Sequence, residues 1–186
     1  MTKKGSLGWS HIKKRLESFD RLGLIDLVKD LYEYSPENRA FLNARFADSG
    51  QEQAALEEYR RRIIEVFFPT RGFSNLKLGP ARKAIRDDHK ATSDLAGTLD
   101  LMLTYVETGT DFTNQFGDID EPFYSSLESV LDDLARRLKT SEGAEMYPRF
   151  RERLLKLARR AGHIGWGYGD DVTSTVEELE AILGQR

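Results

Sequence analysis

From Ala91 to Ala135 the chain runs 45 residues with ten acids and neither lysine nor arginine. The acids are Asp94, Asp100, Glu107, Asp111, Asp118, Asp120, Glu121, Glu128, Asp132 and Asp133. Outside the stretch, 28 bases face 21 acids. A centre of −10 therefore sits in flanks of +7, and the two are expected to meet, within the chain or across a partner.

The same stretch holds the longest helical pattern in the sequence. At 100° steps, residues 94–116 put Leu95, Leu99, Leu101, Met102, Tyr105, Val106, Phe112, Thr113 and Phe116 on one broad face. Gly109 lies near the middle of that face. Glycine weakens a helix by about 1 kcal/mol relative to alanine, and close approach of another backbone would account for it. The opposite face carries Asp100, Thr104, Glu107, Asp111 and Asn114, a narrow acidic stripe. Gly117 ends the helix and Asp118-Ile-Asp120 makes a turn. Asp120 then caps a second helix over 120–139, striped by Phe123, Leu127, Val130, Leu131, Leu134 and Leu138. So short a connection predicts an antiparallel hairpin at the centre of the fold.

The flanks read as helices too. Residues 10–18 are short and basic. Asp20 caps a helix in which Leu24, Leu27, Val28 and Leu31 fall at helical spacing, with Ile25 and Tyr32 widening the face. Ser35-Pro36 restarts the chain into a third helix. Residues 53–67 form a fourth, with Glu57–Arg61 and Glu58–Arg62 as acid-first pairs four apart. A connector from Thr70 to Gly79 precedes a fifth helix opened by Pro80. Beyond the hairpin, a turn is expected over Thr140–Ala144, then a basic helix over 147–161, a glycine-rich loop over 162–169 and an acidic helix over 170–183. The expected architecture is an all-α, single-domain bundle of seven or eight helices spanning 10–186, behind a flexible arm over 1–9. No fixed-period repeat and no strand pattern is present.

Composition narrows the function classes. A net charge of −3 gives no global nucleic-acid signature. No apolar run approaches the roughly 18–20 residues that cross a bilayer, so no membrane role is expected. The N-terminal residues lead into no long apolar segment, which speaks against a secretory signal. The absence of cysteine removes disulfides, thiol nucleophiles and Cys-ligated zinc together. A cytoplasmic location is the expectation.

Three features could carry chemistry. The stripe Glu107, Asp111 and Asn114, with Asp118 or Asp120, could hold a hard divalent cation. No Glu-x-x-His motif accompanies it, and the preferred reading is a solvated face or acids paired with the basic helices. The basic face Arg149, Arg153, Lys156 and Arg160 could bind phosphates. No stacking or base-reading set is interleaved with it, so pairing with acids or a protein is preferred. The loop containing Gly165, Trp166, Gly167 and Tyr168 precedes a helix, where backbone amides attract anions. It follows a helix, lacks lysine, and reads better as a packed turn with Trp166 buried. His11, His89 and His163 are scattered. Asp87-Asp88-His89 places neighbours in different directions on a helix. No catalytic residue and no cofactor is assigned.

Three segments taken together resemble a known family. They are Ser35-Pro-Glu-Asn-Arg-Ala-Phe-Leu; Tyr105 to Glu128, with Phe112-Thr-Asn, Gly117-Asp-Ile-Asp-Glu and Phe123-Tyr-Ser-Ser-Leu-Glu; and Gly162-His-Ile-Gly-Trp-Gly. The likeness is to an uncharacterised family of small bacterial helical proteins, a domain of unknown function. It implies a bacterial source and an all-helical domain, and brings no site residues.

The expected function is a non-enzymatic interaction protein acting through charged helical surfaces, with a protein partner or self-association. A nucleic-acid-binding accessory using the basic helix is the alternative. A divalent-metal enzyme centred on Glu107 and Asp111 is the second.

Overall fold

The structure, a computed structural model, describes residues 8–70 and 76–184. Among these the chain is all-helical, with nine helices and no strand. They are α1 (Trp9–Leu16), α2 (Arg21–Tyr34), α3 (Pro36–Arg45), α4 (Glu52–Phe67), α5 (Gly79–Thr92), α6 (Leu95–Phe116), α7 (Glu121–Leu138), α8 (Ser141–Ala161) and α9 (Tyr168–Leu183). None is long and apolar enough to cross a membrane. Most of the expected arm over 1–9, and the part of the connector over 71–75, lie outside the described residues; Trp9 already opens α1.

The chain groups into two compact units, Met1–Asn43 and Ala44–Arg186. In the first unit, the caps form as the sequence dictates. Asp20 Oδ1 accepts from the Gly23 amide at 2.8 Å, and Ser35 Oγ accepts from the Asn38 amide at 3.1 Å. The Asn38 side chain donates to the Leu31 carbonyl at 2.8 Å and joins the start of α3 to the end of α2. The apolar face of α2 is another matter. Neither α1 nor α2 contains a buried residue, and Leu24, Val28 and Leu31 are exposed.

The second unit is built on α6, which packs against α4, α5, α7 and α8. Asp94 caps it, accepting from the amides of Ala96 and Gly97. The α6–α7 hairpin is antiparallel. Thr113 meets Tyr124, hydroxyl to hydroxyl at 2.7 Å, and Gly109 lies under Leu127, so partner numbers rise as the position on α6 falls. A Cβ at Gly109 would lie 2.4 Å from Leu127 Cδ2. The close neighbour is thus a buried side chain, not the second backbone expected. The broad apolar face is buried as its period requires, except that Leu95 is half-buried and Phe116 exposed. At its C-terminal end the rings of Phe67, Tyr105, Phe112 and Phe123 cluster, with centroids 5.4–6.3 Å apart.

Helix α8 starts six residues before the expected position. Thr140 Oγ1 accepts from the Gly143 amide at 3.1 Å, closing an N-cap over what reads as a turn. Glycine at 143 is required by proximity. A Cβ there would sit 2.0 Å from the Arg137 carbonyl oxygen at the end of α7. Gly143→Ala should therefore destabilise the fold by about 2 kcal/mol or more, although alanine is the better helix former. Urea unfolding followed by circular dichroism would measure it; a stabilised variant would contradict the close approach.

Candidate functional site

The acids of the α6 stripe are paired with bases. Asp100 and Thr104 are buried, and Glu107 and Asp111 are half-buried. Helix α8 lies alongside, and its arginines reach across. Arg153 Nη1 donates to Asp100 Oδ1 at 2.6 Å, and its Nε and Nη2 fork onto both oxygens of Glu107 at 3.2 and 2.6 Å. Nη2 also donates to Thr104 Oγ1 at 3.2 Å. Arg160, two turns on, donates through Nη1 to both oxygens of Asp111 at 2.7 and 3.0 Å. The Asn114 side chain donates to the Arg160 carbonyl. Partner numbers rise together, so α6 and α8 run parallel, and a seven-residue arginine spacing matches the turns of the stripe. Burial pushes the Asp111 carboxyl above its usual range and the Arg160 charge works against that rise.

A third helix contributes a residue with no prior signal. Arg60 of α4 bonds both Asp100 and its own neighbour Glu57. The expected Glu57–Arg61 pair is thereby displaced: Arg61 bonds Glu58 instead, alongside the expected Arg62–Glu58 pair. Only the local pairs four apart were legible; the contact from α4 to α6 spans 40 residues.

The remaining stripe candidates go elsewhere. Asp118 accepts from the Tyr124 hydroxyl at 3.2 Å, and Asp120 caps α7 through the Phe123 amide at 3.0 Å. Among the described residues no group of three or more His, Asp or Glu is placed to hold a metal ion. The basic face also divides. Arg153 and Arg160 turn inward onto the acids. Arg149 lies over the Phe150 ring, and Lys156 pairs with Glu152 on its own helix. Arg151, next to the face, forks onto Glu180 of α9.

Between α4, α6 and α8 lies a cleft of about 680 Å³. Its walls include Arg60 and Ile64 of α4, Glu107 and Asp111 of α6, and the bases of α8.

The glycine-rich loop is a packed turn, with the aromatic roles exchanged relative to expectation. Trp166 is 61% exposed, with φ at +62°. Tyr168 is the buried ring; its hydroxyl meets Thr110 Oγ1 at 2.7 Å and its ring lies 5.4 Å from Tyr124. Gly167, at φ +78°, turns the chain into α9, which starts two residues early and so carries Tyr168 inward. Gly165 lies beside this turn, its carbonyl accepting from the Tyr168 amide. Among the histidines, His89 contacts Thr98 Oγ1 at 3.2 Å, while His11 and His163 sit on α1 and in this loop. Asp87 binds Lys83 and Asp88 is buried, so the Asp87-Asp88-His89 run does diverge.

No family model, no curated protein and no solved structure matches this chain.

Proposed function

We propose that the chain is a non-enzymatic protein-interaction module whose contact surface is the apolar face of α1 and α2. One observation carries the reading. Two helices of eight and 14 residues contain no buried residue, while Leu22, Leu24, Ile25, Val28 and Leu31 are exposed. Isolated helices this short are marginal in water and owe their stability to packing of an apolar face. A clustered apolar surface of this kind is a mark of association. The charged surfaces to which the sequence points are a weaker basis, because Arg153 and Arg160 are held by Asp100, Glu107 and Asp111. The nucleic-acid reading loses the same two arginines.

A photo-crosslinking residue at position 24 or 28, in cells of the native host, should capture a protein. The same residue at exposed Arg136 on α7 should not. Equal capture at all three positions, or none, would contradict the assignment.

A further inference from the structure

The geometry points to the cleft between α4, α6 and α8 as a site for the phosphate group of a small organophosphate. Its volume of about 680 Å³ is that of a small-molecule site. Five bases and two acids line it. Three of the bases are engaged: Arg60 with Asp100, Arg153 with Asp100 and Glu107, and Arg160 with Asp111. Those contacts neutralise the acidic wall. What remains lies on α8. Arg159 is exposed and has no hydrogen bond or ion pair among the described residues. Lys156 is tied only to Glu152, an exposed pair one turn back on its own helix that competes weakly with a ligand. Arg160 keeps a buried Nε–H with no acceptor.

Lys156 lies one helical turn from both Arg159 and Arg160, and all three line the cleft. Two available cationic side chains, Lys156 and Arg159, on one cavity wall suit a group that accepts several charge-assisted hydrogen bonds, as a phosphate does. Ile64 and Thr108 in the same lining offer apolar contact to an organic body. This site is independent of the α1–α2 face, and either assignment can fail without the other.

The test is thermal unfolding of the full chain with millimolar pyrophosphate, against sodium chloride at equal ionic strength. At these concentrations general salting effects are small. Binding should raise the Tm by about 3 °C or more at roughly ten times Kd. The double variant Lys156→Gln, Arg159→Gln should lose the shift; both side chains lie outside the Asp100–Glu107–Asp111 network, so its fold is retained. Arg151→Gln, on the same helix but outside the cleft, should keep the shift. No rise beyond the chloride control, an undiminished rise in the double variant, or an equal rise with citrate would overturn the phosphate assignment.

Discussion

Arg153→Met should lower the stability of the chain by about 3 kcal/mol, the lower end of what breaking a buried ion pair costs. The side chain joins three groups on α6: Asp100, Thr104 and Glu107. Without it, buried Asp100 keeps only Arg60, and half-buried Glu107 keeps only the longer contact to Arg160 at 3.8 Å. The loss is held to the lower end for two reasons. About a third of the Arg153 side chain reaches water, and Arg60 stays on Asp100. In a chain of this size the Tm should fall by roughly 6–12 °C. Arg153→Lys should recover little, because an ammonium cannot fork onto Glu107 while holding Asp100. Adding Glu107→Gln to Arg153→Met should recover part of the loss, since it removes a carboxylate left with only the more distant Arg160. Lys156→Gln on the exposed side of the same helix should change the Tm far less. If Arg153→Met melts with the wild type, the α6–α8 network contributes nothing and the charge segregation has another cause.

That network shows how far the sequence could be read. The deficit of bases over 91–135 and the excess over 149–160 were legible as a demand for pairing. So was the hairpin, because a 3.6-residue period and a four-residue connection leave few alternatives. The identity of the pairs was not legible. Which arginine reaches which acid depends on α6 and α8 running parallel, and that follows from the length of α7 and the turn at Thr140. The stripe opposite the broad face of α6 reads either as solvated or as paired with the basic helices, and one helix pair, having two faces, does not decide between them. Four helices around α6 bury Asp100 and Thr104 and half-bury Glu107 and Asp111, and the three acids meet arginines. Arg60 shows the same limit more sharply: nothing within four residues of it marks Asp100. The loop shows it at the scale of one side chain. Trp166 is the larger aromatic, but a start of α9 at Tyr168 decides which ring turns inward.

The face on α2 failed in the opposite direction. Leu24, Leu27, Val28 and Leu31 have the spacing of a core stripe, and period alone does not say what covers it. The helix forms and is capped as expected, and its apolar side chains remain at the surface. Periodicity predicts a face that needs covering; the proposed protein partner is what would supply the cover. The photo-crosslinking comparison addresses that step and leaves the fold of 44–186 out of the question.

The largest pH dependence should come from Asp88, which no functional reading involves. It lies on α5, is 2% exposed, and its Oδ2 is buried without a hydrogen-bond partner. Burial raises its carboxyl to about 7, and the charges of Asp94 and Asp100 add to the rise. Tyr59 on α4 feels the same site: burial first, then Asp88, push its hydroxyl up to about 12. An unfolded aspartate titrates near 3.9, so between about pH 4 and pH 7 the folded chain holds a proton that the unfolded chain has lost. Unfolding then releases a proton, and stability must fall as pH rises through that window. Below it both states are protonated and the group contributes no difference. Above it the folded chain carries a buried carboxylate, and the accumulated cost is about 4 kcal/mol at most. Asp88→Asn keeps the shape and cannot ionise. Its stability relative to wild type should therefore climb steadily from pH 4 to pH 7 and level off above. Parallel wild-type and variant curves across that range, from urea unfolding at each pH, would show that Asp88 titrates normally and that its carboxylate has found a partner in solution.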